Sequence, residues 1–139
     1  MIDLTDMKID EPAVLDSVKS PLAGAAVLFV GTTREFTDGK RTVWLDYEAY
    51  EAMARGELQR LRELAMARWP LRDVAIVHRL GEVPIGETSV AIAVSSAHRG
   101  PAFEAGQWLI DRLKESVPIW KRERWSDGSS EWIHPEPLG

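Results

Sequence analysis

The sequence predicts an α+β fold with a largely antiparallel sheet covered by helices. Three helical segments alternate with pairs of short β-type runs along the chain. The third and fourth strands are joined by a connection with two glycines and a proline, which is too short to hold a crossover helix. At 139 residues the chain has the usual size of one domain, so residues 1–139 are expected to fold as a single unit.

The first half of the chain predicts one short helix followed by two strands. Asp10 stands where a helix N-cap is expected, with a proline in the first turn after it. The run 24–34 is apolar on both faces until its end, which predicts a buried strand that brings Arg34 to the rim of the sheet. Residues 36–40 carry an Asp-Gly turn signal, and 43–50 alternate as a second strand, antiparallel to the first if the loop is a hairpin.

The second half predicts two helices and four strands. Apolar residues recur at helical spacing before Pro70, with Met53 and Leu64 on the apolar side, and this long amphipathic helix should cover the sheet. A second such helix opens at a Gly-Pro pair, has Phe103 on its apolar side and ends before Pro118. The predicted segments are helix 51–69, strands 74–80 and 88–96, helix 100–117, and a tail 119–133 that reads strand, Asp-Gly turn, strand.

Composition excludes several classes of function. The chain has 17 Lys plus Arg against 22 Asp plus Glu, and this net charge of -5 argues against nucleic-acid binding and anionic-membrane binding. It has no cysteine, so disulfides, thiolate nucleophiles and cysteine zinc sites are excluded. The acidic N-terminal residues do not resemble a signal peptide, and no apolar run is long enough for a membrane span, so we expect a cytoplasmic protein.

Two lysines flank a Pro-Ile-Trp segment near the end of the last helix. Lys114 lies on that helix and Lys121 on the extended segment after it, with Arg122 next in the chain. Two ammonium groups from different elements can form a concave basic site that holds an anion. The alternative is a solvated helix end followed by an edge strand with surface lysines.

A second basic pair, His98 and Arg99, follows a predicted buried strand and opens the last helix. A helix N-terminus offers free amides and a partial positive charge to an anion such as phosphate. The alternative is a capping turn in which both side chains are solvated. His78, within a strand, is interpreted as a hydrogen-bonded structural residue, and with His134 the three histidines lack the spacing of a metal site.

Taken together, these stretches predict one anion site assembled from three separate parts of the chain. Its candidate members are the strand-end arginine, the basic pair at the helix start and the two lysines: Arg34, His98, Arg99, Lys114 and Lys121.

Five motifs, in order along the chain, resemble the large, catalytic subunit of molybdopterin synthase. They are residues 29–35 (FVGTTRE), 45–50 (LDYEAY), 76–81 (IVHRLG), 95–99 (SSAHR) and 114–123 (KESVPIWKRE).

This resemblance implies an α/β hammerhead fold and a sulfurtransferase of molybdenum cofactor biosynthesis that uses no cofactor of its own. It implies a homodimer of this chain within a heterotetramer, on which two small ubiquitin-like carrier subunits dock. Each carrier inserts a C-terminal Gly-Gly thiocarboxylate into a pocket. The substrate is cyclic pyranopterin monophosphate, a pterin that receives two sulfurs to form the dithiolene of molybdopterin. Cysteine is then unnecessary, because the partner supplies the sulfur.

The same resemblance assigns roles to residues of this chain. It implies that Lys114 and Lys121 are catalytic, and that the remaining pocket residues bind substrate: Thr32, Thr33, Arg34, His98, Arg99, Arg122 and Glu123. In some family members a basic extension completes the neighbouring subunit's pocket, but here the seven residues after Trp132 contain no lysine or arginine.

Two other functions remain open from the sequence. The first is a non-catalytic module of the same fold that binds the carrier protein. The second is a domain that binds a phosphorylated ligand unrelated to sulfur.

Overall fold

The computed structural model describes residues 1–133. His134 and the rest of the C-terminal tail, and with them any contribution of the tail to a neighbouring subunit, lie outside the described residues. The elements are β1 (Ile2–Thr5), α1 (Glu11–Val18), β2 (Ala25–Thr32), β3 (Phe36–Thr37), β4 (Lys40–Ala49), α2 (Glu51–Arg68), β5 (Leu71–Arg79), β6 (Gly81–Pro84), β7 (Thr88–Ser96), α3 (Arg99–Ser116), β8 (Ile119–Trp125) and β9 (Ser130–Ile133).

The strands form two sheets. The first has the order β1-β5-β7-β2, in which β1 and β5 are parallel and the other pairs are antiparallel. The second has the order β3-β4-β8-β9, with β6 also paired to β4, and every pair in it is antiparallel. The predicted α+β class is therefore confirmed, but the expected single sheet is two.

The first sheet is covered on both faces. Helix α1 packs on one face with a small core that includes Val14, Val77 and Ala91. Helices α2 and α3 pack on the other face with the larger core, which includes Leu58, Ile92 and Leu109. All three helices occur where the sequence predicts them, and Asp10 caps α1 by accepting a hydrogen bond from the Ala13 amide at 3.1 Å. Three residues predicted on the apolar sides are nevertheless exposed: Met53, Leu64 and Phe103.

The predictions for β2 and β4 need correction. Strand β2 is not buried: it lies at the edge of the first sheet, and Phe29 within it is 38% exposed. The Asp-Gly turn at Asp38 and Gly39, both with positive φ, joins β4 to the two-residue β3 rather than to β2. Strands β2 and β4 therefore belong to different sheets. Strands β1 and β6, which have only four residues each, were not predicted from the sequence.

Candidate functional site

Helix α3 separates the predicted cations of one chain into two groups. Arg99 is its first residue and Lys114 lies in its last turn. Fifteen residues at 1.5 Å rise put the two Cα atoms about 22 Å apart. Within one chain, His98 and Arg99 therefore lie at the opposite end of the helix from Lys114.

The register between β2 and β7 shows which residues share the Lys114 end. Ala25 pairs with Ser96, next to the start of α3, whereas Thr32 pairs with Thr88 at the other end of β7. Because α3 folds back over β7 and β2, its C-terminal end returns to the side of Thr32. The loop that carries Arg34 lies on that side, since the Thr33 amide donates to the carbonyl of Glu87 at 3.1 Å.

Buried His78 and half-buried Tyr47 join the two sheets by a ring contact. His78 on β5 stacks edge-on against Tyr47 on β4, with 4.9 Å between ring centroids. Burial, with a contribution from the nearby charge of Lys114, lowers the pKa of His78 to about 4. Tyr47 in turn stands directly opposite Lys121 in the β4–β8 ladder, so their side chains share one face.

Tyr47 links this contact to further polar groups. Burial raises the pKa of the Tyr47 phenol above its ordinary value, and the negative charge of Glu123 acts in the same direction. A hydrogen bond with Ser89 opposes the rise. Residues from both sheets therefore meet at Tyr47, and the buried side chains of Thr88 and Ser89 lie at the same end of the first sheet.

Successive side chains of β8 point to opposite faces of the sheet, so the neighbours Lys121 and Arg122 lie on different faces. Lys121 and Glu123 face the Tyr47 side, whereas Arg122 faces the opposite side. There its guanidinium lies 3.4 Å from an Asp46 carboxylate oxygen and over the ring of Trp132. Lys121 therefore lies on the Tyr47 side of the strand and Arg122 does not, and the role of Arg122 in binding substrate stays a prediction.

Glu123 is the most buried of the predicted site residues, at 2% exposure. The Thr37 hydroxyl donates to its Oε1 at 3.3 Å, while Oε2 has no partner among the described residues. The Thr33 hydroxyl is likewise buried and unpartnered in residues 1–133. Both groups retain hydrogen-bonding capacity on the Arg34 side of the fold.

The start of α3 is open to solvent. His98 and Arg99 are exposed, and His98 occupies the N-cap position without a side-chain capping bond. The Ser96 hydroxyl donates to the His98 carbonyl and so fixes the turn that enters the helix. Free helix amides beside two basic side chains suit an anion, as the sequence predicts.

Across residues 1–133 there is no group of three His, Asp or Glu residues arranged to hold a metal ion. No helix in this range is long and apolar enough to cross a membrane. The sequence did not point to Tyr47, which the structure places at the junction of the two sheets against His78. The sequence feature that could have pointed to this junction is a histidine, His78, among the apolar residues of a buried strand.

Comparison with known proteins gives matches over most of the chain. The family model for the MoaE protein matches residues 4–116. The molybdopterin synthase catalytic subunit of Bos taurus is 48% identical over 132 residues, which are 95% of this chain and 70% of that protein. A molybdopterin synthase structure from Staphylococcus aureus superposes with a TM-score of 0.89 at 39% identity and covers 94% of both chains.

A complex of subunits 1 and 2 of the molybdopterin-converting factor from Helicobacter pylori is a more distant match. It superposes with a TM-score of 0.78 at 22% identity, covering 97% of this chain and 90% of that one. At this identity the match shows a shared fold.

Proposed function

Because the chain belongs to the MoaE protein family, we propose that it is the catalytic subunit of a molybdopterin synthase. It transfers sulfur from the C-terminal thiocarboxylate of a small ubiquitin-like carrier to cyclic pyranopterin monophosphate, and so forms the dithiolene of molybdopterin. The observation that carries this proposal is the placement of Lys114 and Lys121. They come from a helix and a strand: Lys121 stands opposite Tyr47 in the β4–β8 ladder, and the charge of Lys114 acts on His78, the ring partner of Tyr47.

The residue types suit the chemistry. The thiocarboxylate and the substrate phosphate are both anions, so bringing them together requires fixed positive charge. Lys114 and Lys121 supply that charge at one end of the fold, where Arg34 is also exposed. We assign to Lys114 the proton transfer that accompanies addition of sulfur to the pterin side chain.

We further propose that the site is completed by a second copy of this chain. Arg99 lies too far from Lys114 for both to contact one small substrate within a single chain. In a two-fold dimer built on the β2 edge, antiparallel juxtaposition would bring His98 and Arg99 of one copy to the Lys114 end of the other.

The surface beside β2 supports this arrangement. A groove of about 270 Å³ lies between β2 and α3 and is lined mainly by apolar residues. Phe103 is 63% exposed at this groove, and the backbone of an edge strand is free to pair. With one carrier bound at each site, the proposed assembly is a heterotetramer.

The function is tested by single-turnover sulfur transfer with thiocarboxylated carrier and pterin substrate. We expect Lys114→Ala to lower the rate by about 100-fold or more, because the group that offsets the anions and moves the proton is removed. Lys19→Ala is the matched control, since Lys19 is an exposed lysine beside Asp16 on α1. Turnover by Lys114→Ala close to that of the control would refute the assignment.

A binding assay separates the two alternative functions. A carrier that ends in Gly-Gly is immobilised, and retention of the wild-type chain is compared with dithiolene formation in the same preparation. Retention with product supports the proposal. Retention without product favours a non-catalytic carrier-binding module, and no retention favours a phosphate-ligand domain.

A further inference from the structure

The proposed reaction gives no role to the ion pair between Arg79 and Glu87. Arg79 Nη1 donates to Glu87 Oε1 at 2.8 Å. The side chain of Arg79 is 12% exposed and that of Glu87 is 30% exposed, so the pair is largely shielded from water. Such a pair holds its partners in place more firmly than a surface pair does, because separation would leave each shielded charge without compensation.

The pair joins the end of one strand to the turn before another. Arg79 is the last residue of β5, and Glu87 lies in the turn between β6 and β7. The hydroxyl of the next residue, Thr88, donates to the carboxylate of Glu11 in the first turn of α1. The turn before β7 is therefore held by side chains from two other elements.

The same turn carries one end of the loop that contains Arg34. The Thr33 amide donates to the Glu87 carbonyl at 3.1 Å, and the Gly86 amide donates to the Thr33 carbonyl at 3.0 Å. These two backbone bonds attach the residue before Arg34 to the turn. Glu87 is thus bonded at two places, since Arg79 holds its carboxylate and its carbonyl holds Thr33.

The other end of the loop is attached to the second sheet. The Thr42 amide on β4 donates to the Glu35 carbonyl at 2.7 Å, and Arg41 Nε lies 3.3 Å from Glu35 Oε1. The backbone is therefore bonded to the turn before β7 on one side of Arg34 and to β4 on the other side. A shift of that turn would move one attachment and leave the other in place, and so would change the direction of the exposed Arg34 side chain.

We propose that Arg79 and Glu87 are positioning residues that set the direction in which Arg34 presents its guanidinium to the anionic substrate. The proposal rests on the proposed sulfur-transfer function and on the predicted role of Arg34 in binding substrate. It assigns no contact between the ion pair and the substrate. A guanidinium binds phosphate or carboxylate through two parallel hydrogen bonds, so a small error in its direction weakens binding.

Two substitutions break the ion pair from either side. Glu87→Gln removes the negative charge and keeps the size of the side chain, and Arg79→Met removes the guanidinium and keeps an unbranched chain. Asp73→Asn is the matched control, because it breaks an ion pair near the other end of β5. That pair joins Arg62 and Asp73 at 2.7 Å, with side chains that are 25% and 35% exposed.

In steady-state sulfur transfer we expect Glu87→Gln and Arg79→Met to raise the KM for the pterin by about 5- to 10-fold. We expect kcat to stay within about 2-fold of wild type, because a contact that binds the substrate equally before and during the reaction affects KM alone. Asp73→Asn should lower the melting temperature and leave that KM unchanged. A role in stability alone predicts the wild-type KM in all three variants, and that result would overturn the proposal.

A double substitution tests whether the ion pair acts through Arg34. Arg34→Ala alone should raise the KM for the pterin by about 10-fold or more. In chains that carry Arg34→Ala, the further change Glu87→Gln should leave this raised KM within about 2-fold, because the guanidinium that the pair directs is already absent. If the two effects multiplied instead, Glu87 would act by another route and the proposal would be wrong.

Amide hydrogen exchange measures the attachment of the loop without turnover. The Thr33 and Gly86 amides should exchange about 10-fold faster in Arg79→Met than in wild type, and at the wild-type rate in Asp73→Asn. A wild-type chain that transfers no sulfur overturns the proposed function, even if these amides respond as expected. An active wild type whose two amides exchange equally in Arg79→Met overturns the positioning role alone.

Discussion

At the scale of single residues, His78 illustrates how burial decides the chemical state of a group. An imidazole in water changes charge near neutral pH. Here the ring is enclosed by strands and helix, its Nδ1 proton is committed to the Arg79 carbonyl, and the Lys114 charge lies nearby. The sequence interpretation of His78 as a hydrogen-bonded structural residue is confirmed. Its neighbours across the two sheets come from sequence positions that no local pattern connects.

This depressed pKa makes stability depend on pH. The folded-state pKa of about 4 lies below the ordinary value of 6.5, so the unfolded chain binds more protons between these values. The stabilising contribution of neutral His78 is complete above about pH 6.5 and is lost as the pH falls towards 4. We expect His78 to lower the free energy of unfolding by about 2 kcal/mol between pH 7 and pH 5. Urea unfolding at the two pH values measures it.

His78→Asn is the control for this pH dependence. Asparagine does not titrate, so the difference in unfolding free energy between pH 7 and pH 5 should shrink by about the same 2 kcal/mol. An unchanged difference would mean that carboxylates elsewhere cause the loss and that His78 is not held neutral.

At the scale of elements, three strands with similar apolar sequences, β2, β5 and β7, occupy different positions in the first sheet. Strands β5 and β7 are central and are buried between α1 and the pair α2 and α3. Strand β2 has the same two-faced apolar pattern and lies at the edge. Periodicity reports which faces are apolar, but it does not report how many neighbours a strand has. The helices were easier to predict because prolines bound them locally and their apolar residues recur at helical spacing.

The glycines offer a matched test of element packing. Gly56 lies inside α2, and a methyl group added there meets nothing within 4 Å. At Gly24 the added carbon would lie 2.5 Å from the carbonyl oxygen of Ala97, a backbone atom that cannot move aside cheaply. Gly56→Ala should raise the free energy of unfolding by about 0.5–1 kcal/mol, since alanine favours helix. Gly24→Ala should lower it by about 1–3 kcal/mol.

Urea unfolding of Gly56→Ala and Gly24→Ala measures both predicted changes in the free energy of unfolding. Because Ala97 leads directly into the first turn of α3, Gly24→Ala should also disturb the backbone at His98, which NMR amide shifts would report. Equal effects of the two substitutions would contradict the close approach of residue 24 to the end of β7.

At the scale of the whole molecule, the candidate site raises a question of distance. The sequence motifs predict cations that act together, and that joint action stays a prediction for Lys114 and Lys121, which lie towards the same end of one chain. Arg99 does not, because α3 is a straight spacer of about 22 Å between it and Lys114. Motif order along a chain carries no information on which copy supplies a residue. In a two-fold dimer, Arg99 of one copy can lie near Lys114 of the other without any change in the fold of either chain.

Complementation between two inactive variants tests this arrangement. If each site takes Lys114 from one copy and Arg99 from the other, a mixed dimer of Lys114→Ala and Arg99→Ala contains one intact site and one doubly altered site. Chains carrying different affinity tags are co-expressed in equal amounts, and sulfur transfer is measured on the mixture. Half of the dimers are then mixed, so activity should return to about a quarter of the wild-type value.

The matched control pairs Lys114→Ala with Lys121→Ala. These lysines lie at the same end of one chain, so every site in their mixed dimer lacks one of them and no activity should return. If Arg99 and Lys114 served the same site from one chain, the first mixture would stay as inactive as this control. Recovery in the first mixture alone therefore requires that the active site is built across two copies, with α3 setting the span between its two contributions.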